Sequence, residues 1–135
     1  MRIKQLTYKG TIHVVPSAIK DLLIKHGLNW LNQAEIDNAI LEIKEDKLYW
    51  IGGTWHYGVW KDGVWKDGVW MSGTWEDGVW RNGIWKKGTW KKGIWMNGIW
   101  EDGTFESGEF RKGTKKKGNF NISENVKKFC EYFKK

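Results

Sequence analysis

The 135-residue chain has one cysteine, Cys130, and one proline, Pro16. With a single thiol no internal disulfide can form, which suits a reducing compartment. Apolar runs are short. None approaches the ~18 residues of a membrane helix, and the opening Met1-Arg2-Ile3-Lys4-Gln5 lacks the apolar core of a secretory signal. The expected setting is therefore cytoplasmic, in a cell, an infected host cell or a virion. Metal and catalytic chemistry are also thin. His13, His26 and His56 stand apart in sequence, with no ligand spacing to Cys130 or to carboxylates. No phosphate-binding glycine loop and no nucleophile–base constellation is evident. The expectation is a non-enzymatic protein without metal or cofactor.

Hydrophobic residues make up 40% of the chain and charged residues 29%, figures that alone would permit disorder. The 12 Trp and 17 Gly argue otherwise, because disordered chains are poor in the aromatics that folded chains bury. Net charge is +7. Residues 53–118 carry 12 basic and 8 acidic groups, a surplus of +4. This bias permits contact with phosphate or acidic surfaces without demanding it.

Trp stands at every fifth position: Trp50, Trp55, Trp60, Trp65, Trp70, Trp75, Trp80, Trp85, Trp90, Trp95 and Trp100. Phe105 and Phe110 continue the column, Lys115 interrupts it and Phe120 resumes it. Gly keeps the same beat from Gly53 to Gly118. The unit is Gly-[Val/Ile/Thr]-Trp-x-x, with polar or charged residues at both x positions, as in Gly58-Val59-Trp60-Lys61-Asp62. Such a period precedes any other reasoning about fold.

Five matches neither the helical period nor the strand period of two. A straight strand would send successive Trp to opposite faces, and a helix would scatter them and lose up to ~1 kcal/mol per glycine. One Trp face survives only if the chain turns once per pentad. Asp-Gly, Asn-Gly and Ser-Gly steps stand where that turn falls. Two architectures meet the condition. One is a square coil with four pentads per turn, stacked at ~4.8 Å, which would ladder Trp60 with Trp80 and Trp100, and Trp65 with Trp85 and Phe105. The other is an antiparallel ribbon that leaves one whole face in water. The coil is favoured, with glycine read as the space a bulky ring needs.

The pentads resemble those of pentapeptide-repeat proteins, in which a large central residue follows a small one two positions earlier, as Trp60 follows Gly58 and Trp65 follows Gly63. The resemblance spans residues 53–120 and implies a mainly β fold, a right-handed four-sided β-solenoid. The centre there is usually Leu or Phe and the small residue usually Ala. Similar Trp/Gly pentads occur in phage and bacterial repeat proteins. Some pentapeptide-repeat proteins act on topoisomerases by resembling DNA, but their surfaces are acidic, so that role does not transfer to this basic chain.

An open solenoid end needs a cap. Residues 1–47 read as an α+β cap, residues 48–120 as the solenoid and residues 121–135 as a C-terminal helix. Two strands flank Lys9-Gly10. Ser17 is the expected N-cap of a helix through residues 17–26, with Gly27 as its stop. Asn32 and Glu35 have capping-box spacing, and Ile36, Ala39, Ile40 and Ile43 recur at helical intervals; residues 40–43 read equally as a strand paired with residues 48–51. Val126, Phe129, Cys130 and Phe133 form one face of the last helix, expected to close the final coil or to mediate a dimer contact.

Two surfaces draw interest. On a square coil, Lys86, Lys87, Lys91, Lys92, Arg111 and Lys112 gather on adjacent sides, and Lys115, Lys116 and Lys117 extend them, a possible phosphate-binding surface. The residues before each Trp, including Val59, Val64, Ile84 and Ile94, face outward, interrupted by Thr54, Thr74, Thr89 and Thr104. The leading expectation is a structural or protein-binding module, small and viral or bacterial, that could self-associate through a solenoid end. Weak nucleic-acid association is second. Carbohydrate binding would require exposed indoles.

Overall fold

The computed structural model describes residues 2–120. The cap opens with strands β1 (Ile3–Tyr8) and β2 (Thr11–His13), which form an antiparallel hairpin. Lys9 and Gly10 supply its turn at φ 50° and 80°, the paired left-handed conformation that tight hairpins prefer. Helix α1 (Pro16–Lys25) then buries Ile19 and Leu23. Its N-cap is Val15, which bonds through no side chain, and Pro16 sits in the first turn. The N-cap thus lies two residues ahead of the expected Ser17, because proline is preorganised for the first helical position. Gly27, at φ 73°, follows the C-cap His26.

A 3₁₀ turn (Asn29–Gln33) leads into β3 (Glu35–Lys44), so of the two readings open for this stretch the helix from Asn32 and Glu35 is not formed and the strand pairing residues 40–43 with 48–51 is. The cause of the helix-like spacing is local. Asn38 takes φ 54°, and the register against the next strand shifts between Asp37 and Ile40. The irregularity places buried positions at Ile36, Ala39, Leu41 and Ile43, and one interval of three among intervals of two imitates a helix.

Strand β4 (Lys47–Tyr57) is antiparallel to β3 and also begins the solenoid. Its Trp50 end pairs parallel with β6 (Val64–Trp65) and its Trp55 end with β7 (Val69–Trp70). One strand therefore crosses the expected boundary at residue 47 and supplies two sides of the first coil. The third side starts at β5 (Val59–Trp60). Trp30 of the 3₁₀ turn meets Trp60 edge to face at 5.6 Å, and Ala34 closes on Gly58.

From there every strand is two residues long and pairs in parallel fifteen residues on. Trp60 aligns with Trp75, Trp75 with Trp90 and Trp90 with Phe105. Fifteen residues are three pentads, so the coil has three sides. The four-sided coil and its Trp60–Trp80 ladder are corrected accordingly. Backbone bonds join successive coils around each Trp: Thr74 N–H donates to Gly58 C=O at 2.9 Å and Glu76 N–H to Trp60 C=O at 2.8 Å.

The core is a triangular column of indoles. All eleven repeat Trp, with Phe105 and Phe110, have no measurable exposure. Along the axis, Trp65 stacks on Trp80 at 4.7 Å and 6°, and Trp80 on Trp95 at 4.8 Å and 7°. Around the axis, Trp75 meets Trp80 and Trp80 meets Trp85 edge to face, both at 5.9 Å. Each ring thus has stacked and T-shaped partners, the two arrangements that the aromatic quadrupole favours. At the far end Lys115 takes the inner position below Trp100, with its ammonium 5.1 Å from the Phe120 ring. The expected C-terminal helix lies outside the described residues.

Glycine recurs because backbone, more than ring, needs the space. Gly73 has φ 119°, and a Cβ there would strike the carbonyl of Gly58 in the coil before. The same approach joins Gly88 to Gly73 and Gly103 to Gly88. Aspartate before glycine has its own reason: the carboxylates of Asp62, Asp67, Asp77 and Asp102 each accept the following glycine N–H at 2.8–2.9 Å, a local turn bond of the kind that places Asp at turns.

Candidate binding surface

Three pentads per coil sort the outward positions into three columns. The first face carries Val64, Val79 and Ile94, and ends at Glu109. The second carries Val69, Ile84 and Ile99, and ends at Thr114. The third carries Val59, then Thr74, Thr89 and Thr104. Thr74, Thr89 and Thr104 therefore do not interrupt the aliphatic residues but make up the third face with Val59, while Thr54 and Thr114 stand at the two ends of the second. A signal for this was present in the sequence. Read before successive Trp, residues 64–104 run Val-Val-Thr, Val-Ile-Thr, Ile-Ile-Thr, a fifteen-residue period nested in the five-residue one.

The aliphatic residues are mostly half-buried, with Val64 at 9%. Long corner side chains flank them, and such chains cover apolar surface with their methylene stems. Most of the apolar strip is thus recessed between charged edges.

The same register disperses the expected basic patch. Lys86 and Lys87 lie on one edge, stacked between Met71-Ser72 and Glu101-Asp102, with Lys116 and Lys117 in the next coil. Lys91 and Lys92 lie on a second edge, above Glu76-Asp77 and below Glu106-Ser107. Arg111 and Lys112 occupy the third. Charges alternate along the first two edges and pair between coils: Lys86 with Glu101 at 3.8 Å, Lys61 with Glu76 at 3.9 Å and Lys92 with Asp77 at 3.9 Å. Lys115 is not on an edge, since its side chain replaces an indole. Nine basic residues that a square coil would gather are divided among three edges and the core.

The third edge differs in charge. It joins the two aliphatic faces and carries Lys66, Arg81, Arg111 and Lys112 against a single acid, Asp67, with Asn82, Met96 and Asn97 between them. Arg111 is held by Glu109 at 3.1 Å. Among the described residues, Lys66, Arg81 and Lys112 make no ion pair.

Two polar features escaped sequence reasoning. His26 Nδ1 lies 2.5 Å from Asp46 Oδ1 and packs on Tyr8 at 4.7 Å, tying the end of α1 to the β3–β4 turn. Twenty residues separate the two, so no local spacing announces the pair. The indoles also divide. Nε1–H of Trp60, Trp70, Trp85 and Trp95 donates to the carbonyl seventeen residues ahead at 3.0–3.1 Å. Nε1 of Trp50, Trp55, Trp65, Trp75, Trp80, Trp90 and Trp100 is buried without a partner.

Comparison with protein-family models, with curated proteins and with solved structures finds no match for this chain.

Proposed function

We propose that the protein is a non-enzymatic structural and binding module, a rod with an indole core that engages a protein partner along the edge joining its two aliphatic faces. It would serve as a small viral or bacterial accessory protein in the cytoplasm of a cell or infected host. Its unit keeps the likeness to pentapeptide repeats at the level of the single five-residue side, while its coil closes in three.

The observation that carries the reading is the asymmetry among the edges. The second edge balances its cations with four acids, and the first sets Glu101 and Asp102 against four lysines with one ion pair, Lys86–Glu101; the third has one acid against four cations and alone joins two aliphatic faces. The third has cations without partners, Lys66, Arg81 and Lys112, beside Val79, Ile84, Ile94 and Ile99. Surface that combines apolar area with unneutralised arginine matches the composition of protein interfaces, where arginine is enriched. Cations here attract an acidic partner and the aliphatic columns hold it.

The test is capture from the native host by the immobilised chain. A partner should be retained by the wild type and by Lys92→Glu on the neighbouring edge, and lost with Arg81→Glu combined with Ile84→Glu. Equal loss in both variants, with folding intact by tryptophan fluorescence, would refute the assignment.

A further inference from the structure

Each corner of the solenoid turns at a glycine whose N–H lies within reach of the side chain before it. Where that residue is Asp62, Asp67, Asp77 or Asp102, its carboxylate accepts the glycine N–H at 2.8–2.9 Å. The corner N–H is thus a carboxylate-binding group, and the chain fills it wherever aspartate stands there.

The third edge fills one such group and leaves the next two open. Asp67 holds the N–H of Gly68. Asn82 and Asn97 occupy the same place in the following two coils. The N–H groups of Gly83 and Gly98 meet no acceptor among the described residues. Asp67 is itself exposed, as are Asn82 and Asn97, so a carboxylate approaches this position from the solvent side. The two open groups stand one coil apart, a rise of ~4.8 Å.

Charge sets these two apart from the rest. From residue 81 to residue 112 the edge carries Arg81, Asn82, Met96, Asn97, Arg111 and Lys112, and no acid. Gly88 and Gly93 on the other edges also have N–H groups without an acceptor among the described residues. There, however, Glu101 and Asp102 adjoin Gly88, and Glu76, Asp77 and Glu106 adjoin Gly93. A carboxylate arriving at those corners meets like charge, and one arriving at Gly83 or Gly98 meets cations.

We propose that the N–H groups of Gly83 and Gly98 bind two carboxylates of an acidic peptide segment, as Gly68 binds Asp67 within the chain, with Arg81 and Lys112 as counter-charges. The inference rests on the partner-binding role proposed for this edge and adds the chemistry that the partner must present. Side chains on one face of an extended peptide recur at about 6.6 Å, near enough to the coil rise for flexible Asp and Glu side chains to reach both groups. Val79, Ile84, Ile94 and Ile99 beside the row suit a peptide that also carries apolar residues, and not a phosphate backbone. Asparagine is the telling choice at positions 82 and 97, because aspartate would fill the N–H and cancel a cation.

Titration of the isotope-labelled full chain with a hexa-aspartate peptide at low salt, followed by amide NMR, tests this. The amides of Gly83 and Gly98 should move downfield and saturate together, while Gly68 and Gly78, already bonded to aspartate, stay in place. Two variants separate the hydrogen bond from the charge. Asn97→Asp and Lys112→Gln each lower the charge of the edge by one unit, but only the first supplies a carboxylate to Gly98. Asn97→Asp should abolish the Gly98 response and weaken binding about tenfold, with tryptophan emission unchanged. Lys112→Gln should weaken it less and keep the Gly98 response. Equal weakening, or a peptide that perturbs Arg81 and Lys112 without moving Gly83 and Gly98, would overturn the inference and leave the edge itself as the binding surface. A response confined to the other two edges would overturn both. No binding at ~1 mM peptide would overturn the inference alone, since capture of the native partner tests the edge separately.

Discussion

A Cβ atom placed on Gly68 would lie 2.6 Å from the carbonyl oxygen of Gly53, and Gly68 itself has φ 128°. Backbone meets backbone between successive coils at this position, in a conformation that L-residues rarely adopt. Gly68→Ala should therefore destabilise by about 3 kcal/mol or more, combining conformational strain with displacement of the neighbouring coil. Gly52, one residue before Gly53, has open space where its Cβ would stand. Gly52→Ala should leave stability within about 1 kcal/mol. Denaturant unfolding of the two variants gives the comparison, and equal effects would contradict the close-approach account.

Trp80 stacks between Trp65 and Trp95 with no exposure. Trp80→Ala should cost about 3–5 kcal/mol through the cavity it leaves. Glu76→Ala should change stability by less than about 0.5 kcal/mol, since its ion pair with Lys61 is 3.9 Å long and open to solvent. Fluorescence offers an independent check: emission should be blue-shifted and resist an aqueous quencher until the chain unfolds.

Register can be read by cross-linking. Thr74 and Thr89 are ladder partners fifteen residues apart, so their Cα atoms stand at the inter-strand spacing of ~4.8 Å, within disulfide range. In a Cys130→Ser background, Thr74→Cys with Thr89→Cys should close an intramolecular disulfide. Thr74→Cys with Ile94→Cys, twenty residues apart, should not, because the two residues lie on different faces. The opposite pattern would restore a coil of four sides.

Nucleic-acid binding should be weak and lost early with salt. Lys86-Lys87, Lys91-Lys92 and Arg111-Lys112 lie on separate edges, and two of these pairs face acidic neighbours in the adjoining coils. Few phosphates can be neutralised together, so the counterion-release term is small. Anisotropy titrations with duplex DNA should show little binding near 0.15 M salt, and less with Lys91→Glu and Lys92→Glu. Tight binding that survives ~0.5 M salt would contradict the dispersed-charge account.

The pentad, the inward Trp column and the turn at each Gly were legible in the sequence, because a period of five with charged residues at two fixed positions has few physical solutions. The hairpin about Lys9-Gly10 was legible for a similar reason: its turn chemistry is local. The strand at residues 35–44 was legible only in part: residues 40–43 read equally as a strand paired with residues 48–51, which is the pairing formed, while the irregularity near Asn38 exists only against β4 and gave the buried residues a helical spacing. His26 and Asp46 meet through the cap's tertiary packing alone.

The number of sides shows the division most clearly. Fifteen and twenty are both multiples of five, so the Gly and Trp periods permit either coil, and only the nested Val-Val-Thr order favours fifteen. The sequence by itself determined that the chain must turn once per pentad, at the repeat glycine, and bury the repeat Trp. Tertiary structure decided how far it turns. Three indoles meeting edge to face about one axis, each stacked on the ring fifteen residues away, set the cross-section, and glycine backbones in contact between coils set the rise. From that one choice follow the threonine-rich face, the ion pairs between coils on two edges and the cationic surplus of the third, none of which exists until three sides are closed.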